Sequence, residues 1–257
     1  MAARAPTGSR IPDEQLPEFL RLVGESDSVE LKLTVPESEH FAVARSLGLD
    51  VLEAQLRQVF FFDTPGLDLN AAGLVLRARR IQRRPGDVIV KLRPAVPSSF
   101  PKALRRNAGF KVEVDAMPGG YTCSASLRER LDNADVRQMI LGKRALEALF
   151  SKEQRRLVSK HMPDDLDLGD IAVLGPIVVL KLKFDPQELG RRMVAEVWLY
   201  PDGSRVLELS TKCEPGEAFQ VAGEARAFLV EHGVDLEGEQ QAKTAKALEF
   251  FAGTLTE

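Results

Sequence analysis

Residues 74–93, LVLRARRIQRRPGDVIVKLR, predict two strands joined by a tight turn. Apolar residues alternate with Arg77 and Arg79 before the turn and with Lys91 and Arg93 after it. Because side chains in a strand point alternately to opposite faces, each strand has one apolar face and one basic face. The Arg-Pro-Gly-Asp sequence at 84–87 is a strong hairpin signal.

The same alternation of charged and apolar residues recurs along the chain. It is found in SVELKL at 28–33, FKVEVD at 110–115, VVLKLKF at 178–184 and VLELSTK at 206–212. Charges on one face of a sheet are often solvated and paired across strands. Here the polar face is almost wholly Lys, Arg, Glu and Asp over six strands, which favours an enclosed surface built to hold an ion.

The order of the predicted elements favours an α+β fold. Strands are predicted at about 28–35, 56–63, 74–83, 87–94, 109–116, 153–160, 170–184, 192–200 and 204–213, and helices at about 37–47, 124–150, 216–232 and 239–252. Runs of strands joined by turns favour an antiparallel sheet, and closure removes the sheet edges. We therefore predict an eight-stranded antiparallel closed barrel with helices packed outside.

A single domain is predicted over residues 26–257. Residues 1–25 are predicted to form a short N-terminal tail, and about 117–152 a helical insertion in the domain. The chain has 257 residues, of which 44% are apolar, enough for a sizeable core.

The composition limits the function classes. Cys123 and Cys213 are the two cysteines, without a CxxC pair, which disfavours structural zinc and indicates a reducing compartment. No apolar run is long enough to span a membrane, and a cytoplasmic location is the default expectation. The net charge is −3, yet the stretch 77–111 holds 11 Lys or Arg and the one acid Asp87. Such a basic stretch attracts an anionic partner.

The charged strand faces suggest two kinds of ligand. Arg matches phosphate oxygens bidentately and Lys adds a mobile point charge, so a converging basic set would suit a polyphosphate. Carboxylates beside a phosphate site need a cation between them, and oxygen ligands favour Mg²⁺ or Mn²⁺. The basic set is Lys32, Arg77, Arg79, Lys91, Arg93, Lys181 and Lys183, and the acidic set is Glu30, Glu113, Glu196 and Glu208.

Several short motifs together resemble those of the CYTH superfamily, the triphosphate tunnel metalloenzymes. The family's opening E-x-E-x-K strand is matched by residues 28–32, its F-D-T segment by 62–64, and its L-R-x-R strand by 76–79. Its K-x-R strand is matched by Lys91 and Arg93, its closing E-x-E strand by 208–210, and its C-terminal lysine by Lys243. The resemblance extends from about residue 28 to the last helix.

The resemblance implies a barrel whose interior holds a triphosphate. It implies catalytic roles for Lys32, Arg77 and Arg79, and substrate binding by Lys91, Arg93, Lys181, Lys183 and Lys243. Glu30, Glu113, Glu196 and Glu208 would hold Mg²⁺ or Mn²⁺. Two carboxylates of the family pattern are replaced, by Ser28 and Ser210, and this loss affects metal binding more than phosphate binding.

Three functions remain open from the sequence. The first is metal-dependent hydrolysis of tripolyphosphate, thiamine triphosphate or ATP. The second is cyclase chemistry of the class IV adenylate cyclase type, and the third is polyphosphate or nucleotide binding without catalysis. Nucleic acid is disfavoured as a partner, because few aromatic residues interleave with the basic ones. A homodimer is one option for the oligomeric state, and no membrane partner is expected.

Overall fold

The computed structural model describes residues 11–240 and 243–255. Within them, nine strands form one closed β-barrel. The strands are β1 Ser28–Val35, β2 Gln55–Asp63, β3 Leu74–Ile81, β4 Arg84–Leu92, β5 Phe110–Met117, β6 Gly120–Leu131, β7 Ala172–Phe184, β8 Met193–Leu199 and β9 Arg205–Cys213.

Eight α-helices lie in the same described ranges. They are α1 Leu16–Glu25, α2 His40–Ser46, α3 Asp68–Ala71, α4 Lys102–Arg105, α5 Asn133–Ile140, α6 Lys152–His161, α7 Ala218–Glu231 and α8 Lys243–Leu255. In the described part of the chain, none of the helices is long and apolar enough to cross a membrane.

The barrel is mixed rather than purely antiparallel. Its strands follow the order β1-β5-β6-β4-β3-β2-β7-β8-β9, and β9 pairs back with β1. Antiparallel pairing holds throughout except between β1 and β5, which are parallel. The predicted α+β closed barrel is confirmed, but the expectation of eight strands, all antiparallel, is wrong. The additional strand is β6, which pairs with both β4 and β5.

The apolar faces of the strands point outward and are covered by helices. One outer core joins β1 to β6 with α1, α5, α6 and the start of α7, with Phe60, Leu76 and Val112 among its buried residues. A second joins β1, β7, β8 and β9 with α2 and the end of α7. The charged alternate positions therefore point into the barrel, as the strand patterns predicted.

A third apolar cluster partly fills the barrel where β2, β7 and β8 meet. Phe61, Ile177 and Trp198 are buried there, and Ala247 and Leu248 of α8 pack on them. This cluster fixes α8 against the barrel and places its first residue, Lys243, beside the charged cavity.

The segment 120–131 is a strand, which corrects the helix expected at about 124–150. The helical insertion expected at about 117–152 is thus reduced to α5 and the turns that follow it. Cys123, Ala125 and Leu127 are buried on the outer face, and Ser126 and Arg128 line the cavity. Leu127 and Leu131 also have helical spacing, so periodicity alone was ambiguous.

The segment 152–161 is helix α6, which corrects the strand expected at about 153–160. Ser151 and Gln154 form a reciprocal capping box at its start. The fully buried Gln154 amide also donates to the carbonyls of Val88 and Leu127, at 3.1 and 2.9 Å, and so ties α6 to β4 and β6.

The β3–β4 turn lies at residues 82–83, and the Arg-Pro-Gly-Asp sequence expected to form it lies in β4. Gly86 has a different reason to be glycine: a Cβ there would be 2.3 Å from the Arg79 carbonyl oxygen, at an irregularity of the β3–β4 register. Residues 16–25, expected in a tail, form α1, while residues 1–10 lie outside the described ranges.

Candidate functional site

The barrel encloses a cavity of about 1030 Å³ that is lined by charged side chains. Among the described residues that line it, fourteen are Lys or Arg and six are Asp or Glu. The whole chain has a net charge of −3, so this local excess of positive charge is a property of the cavity. An enclosed surface of one dominant sign concentrates ions of the opposite sign.

Two arginines of the cavity are held by one buried carboxylate. Arg79 donates to both Asp87 oxygens at 2.7 Å, in a bidentate pair across β3 and β4. Arg128 of β6 lies 2.7 Å from the same carboxylate, which is fully buried. The charges of Arg79 and Arg128 outweigh the cost of burial and keep the pKa of Asp87 below its usual value. Asp87 therefore fixes these two guanidinium groups.

Arg77 and Arg57 provide guanidinium groups without a carboxylate partner. Among the described residues, no hydrogen bond or ion pair joins the Arg77 side chain to the protein, and Arg57 donates only to the Gln55 amide oxygen at 2.7 Å. Burial, with repulsion from Arg79, lowers the pKa of each arginine to about 10. Both remain charged at neutral pH, and both would be stabilised by an anion.

Lys32, Lys91 and Asp115 form a second group, on β1, β4 and β5. The Lys32 ammonium lies 2.9 Å from Asp115 and 3.2 Å from Glu30, and Lys91 lies 3.4 Å from Asp115. Burial lowers the pKa of Lys91 to about 8, because Asp115 only partly offsets it. The charges of Lys91 and Lys32 overcome burial and hold the pKa of Asp115 well below its ordinary value.

A third group joins β7, β8, β9 and α8. Glu196 accepts from Lys181 at 2.7 Å and from Lys243 at 2.5 Å, and Lys243 also lies 2.7 Å from Glu208. The Lys243 ammonium stands 5.2 Å from the centre of the Trp198 ring. Burial opposes the charge on Glu196, but Lys243 and Lys181 outweigh it and keep its pKa well below the usual value.

The remaining predicted residues also line the cavity. Glu113 accepts from Ser28 at 3.2 Å and is ion-paired with Lys212. Arg93 follows the end of β4, and Lys183 is exposed near the end of β7. All twelve residues predicted for the site therefore line one cavity. Nine of them belong to separate ion-paired groups, and the described contacts contain no ion pair of Arg77, Arg93 or Lys183.

The four carboxylates predicted to bind metal have lysine partners in this structure. Glu30, Glu113, Glu196 and Glu208 are each bonded to at least one lysine. Within residues 11–240 and 243–255, no group of three or more His, Cys, Asp or Glu side chains is placed to hold a metal ion. We therefore assign no chemical step to a metal, and the requirement for Mg²⁺ or Mn²⁺ stays a prediction.

The sequence analysis missed several charged residues of the site, among them Arg57, Arg128 and Lys212 in the cavity lining and Asp87, which orients two of the cavity arginines. Asp87 lies four positions before Lys91, so strand parity would have placed it on the same face, but it was not assigned to the site. Lys212 lies on the same face of β9 as Glu208. The sequence analysis quoted this alternation at 206–212 but did not assign Lys212 to the site. Arg128 was missed because a helix was expected at 124–150. Arg57 was missed because the apolar run 59–62 that follows it shows no alternation of charged and apolar residues.

The solved structures most informative for this chain have the same barrel. A putative adenylyl cyclase from Hippeastrum with a dominant triphosphatase activity is 21% identical, with a TM-score of 0.60, and the match covers 82% of this chain and 91% of that one. A putative adenylate cyclase from Bacillus halodurans is 11% identical, with a TM-score of 0.59, and the match covers 86% and 97%. No protein-family model matches the chain, and no curated protein matches it either.

These likenesses establish the fold. The resemblance to the CYTH-type tunnel proteins that the short motifs indicated is confirmed at that level. At such low identity the activities of the two relatives do not transfer to this chain, and its function follows from its own residues.

Proposed function

We propose that the barrel binds a triphosphate and hydrolyses its terminal phosphoanhydride bond. The observation that carries the proposal is the excess of cations in the cavity, fourteen against six acids among the described lining residues. A triphosphate carries about four or five negative charges at neutral pH, and charge-assisted bonds from Arg and Lys are the strongest that a protein offers such a group. The triphosphatase activity described for the Hippeastrum relative supports the proposal.

Inorganic tripolyphosphate is the substrate that the lining favours. Trp198 is the one aromatic residue among the described residues that line the cavity, and it is buried beneath Lys243. An adenine or thiamine ring binds best against exposed aromatic or apolar faces. A chain of phosphates needs no such surface and could contact cationic groups along its whole length.

The proposed reaction needs charge stabilisation above all. Water attacks the terminal phosphorus and the bridging P–O bond breaks. Orthophosphate retains the hydroxyl of the water, and the second proton passes to the leaving diphosphate or to solvent. Negative charge grows on the bridging oxygen as the bond breaks. Arg77 and Arg57 have free donors to meet that charge, and Asp87 keeps Arg79 and Arg128 oriented beside them.

The test is phosphate release from tripolyphosphate, thiamine triphosphate and ATP, each with EDTA, Mg²⁺ or Mn²⁺. We expect turnover to be greatest on tripolyphosphate. Arg77→Ala should weaken tripolyphosphate binding about 10- to 100-fold, because a hydrogen bond to a charged group contributes about 1.5–3 kcal/mol. Arg80→Ala removes the same charge from the same strand, where Arg80 bonds Gln58 away from the cavity lining, and should leave binding unchanged.

Binding without turnover is the second candidate. It is favoured by Ser28 and Ser210, which stand where the resemblance expects carboxylates. Tight tripolyphosphate binding with no phosphate release in any metal would select this function. Cyclic AMP formed from ATP would instead select cyclase chemistry. The absence of binding of tripolyphosphate, thiamine triphosphate and ATP alike, under every condition, would contradict all three functions.

A further inference from the structure

The Lys243 ammonium lies between two carboxylates that are neighbours in the sheet. Glu196 and Glu208 are directly opposite each other on β8 and β9. Like charges at such a cross-strand position are destabilising unless a cation separates them. The ammonium nitrogen is 2.5 Å from Glu196 and 2.7 Å from Glu208. It therefore has the position that a bridging metal ion would take between two carboxylates.

Several contacts hold Lys243 in this position. Its backbone carbonyl accepts a hydrogen bond from the Tyr200 hydroxyl at 3.1 Å, and its ammonium faces the Trp198 ring. Ala247 and Leu248, one turn further along α8, are buried in the apolar cluster inside the barrel. The ammonium is thus a fixed part of the fold, with little of its side chain exposed.

Three further acidic groups of the cavity, Glu30, Glu113 and Asp115, are compensated in the same way. Lys32 lies between Glu30 and Asp115, and Lys212 is paired with Glu113. The Ser210 hydroxyl donates to Glu30 at 3.4 Å, which adds a hydrogen bond where another carboxylate would add a charge. Among the described residues, each of the four predicted ligands therefore has at least one carboxylate oxygen bonded to a lysine.

We propose that Lys243 replaces a divalent cation at the Glu196–Glu208 pair, and that the cavity binds its anion without a metal. An ammonium supplies one positive charge permanently and imposes no coordination geometry, whereas Mg²⁺ or Mn²⁺ requires several oxygen ligands. The statement that the cavity binds its anion without a metal rests on the function proposed above. The statement that Lys243 replaces a cation between Glu196 and Glu208 is independent of that function.

Manganese binding tests the replacement directly, without any phosphate compound. The wild-type chain is titrated with Mn²⁺, and the free ion is followed by electron paramagnetic resonance. We expect the wild type to leave Mn²⁺ free, and Lys243→Ala to bind it at least about tenfold more tightly, because the two carboxylates become available. Lys246→Ala is the matched control, since Lys246 lies on the same helix over the Tyr200 ring, outside the cavity lining.

The proposal is overturned if the wild type binds one Mn²⁺ tightly and Glu208→Gln removes that binding. This arm does not use Lys243→Ala, so it decides the question even if that variant fails to fold, which circular dichroism would reveal.

Calorimetric titration of tripolyphosphate in EDTA and in Mg²⁺ tests the second part, after correction for the complex that Mg²⁺ forms with tripolyphosphate. We expect the two dissociation constants to agree within about twofold. Binding seen only with Mg²⁺ overturns metal independence. Binding in neither buffer overturns the proposed function, while the manganese titration still decides the role of Lys243.

Discussion

Lys91 is a cavity cation whose pKa of about 8 lies close to physiological pH. It is charged below that pH, and a charged lysine is the form that binds an anion. Tripolyphosphate affinity should therefore be highest below about pH 8 and fall as the pH rises through that value. Loss of a charge-assisted contact predicts a decrease of about tenfold or more by pH 9.5.

Calorimetric titration from pH 6.5 to 9.5 measures this dependence. Lys91→Met is the control, since it removes the titrating group and should bind weakly with a flatter pH profile. The ligand's own ionisation affects both proteins equally, so equal slopes for the wild type and the variant would contradict the assignment.

Strand parity predicted which residues face the cavity, but not which of them pair there. Lys32, Arg77 and Lys91 were placed inside from alternation alone, and the structure confirms their position. The bond between Lys243 and Glu196 joins residues 47 positions apart in chain order. Such a contact depends on where α8 packs against the barrel, and no local pattern records that.

At the level of the elements, Asp87 joins β3, β4 and β6 through two arginines. Replacing one partner of a buried pair leaves the others uncompensated and typically costs about 3–5 kcal/mol. Asp87→Asn should lower the free energy of unfolding by about that amount, measured by urea denaturation.

Asp185→Asn provides the comparison. Asp185 forms an equivalent two-bond pair with Arg192, but both side chains are 61% exposed. Solvent screening limits such a pair to about 0–1 kcal/mol. If Asp87→Asn lowers the free energy of unfolding by no more than Asp185→Asn does, Asp87 does not stabilise the barrel wall.

Four of the elements that were predicted correctly have a single clear period. β1, β3, β5 and β9 alternate between apolar and charged residues along their length, and their predicted bounds agree with the structure within about two residues. β6 and α6 were exchanged in type, because Leu127 and Leu131 also suit a helix and the capping signal at Ser151 and Gln154 was given no weight.

At the level of the whole molecule, the cavity concentrates positive charge that an anion would neutralise. Any ligand that binds the folded chain alone stabilises it, by about 2.7 kcal/mol at one hundred times its dissociation constant. For a chain of this size we expect tripolyphosphate to raise the Tm by about 5–10 °C.

Thermal denaturation with and without tripolyphosphate measures this shift, with NaCl at the same ionic strength as the control. Arg77→Ala should show a smaller shift than the wild type at the same concentration of ligand. An equal shift with NaCl would mean that general screening, rather than a bound anion, stabilises the fold.

The barrel is closed by hydrogen bonds between β1 and β9, the first and the last strands in the chain. β1 has its two neighbours in β5 and β9, which begin more than 80 and more than 170 residues later in the chain. During synthesis on the ribosome, both edges of β1 therefore remain unpaired at first. The second edge forms its hydrogen bonds only after β9 has emerged. Distant pairings of this kind fold slowly and leave exposed edges in the meantime. The second edge of β1 therefore stays unpaired until residues 205–213 have been made.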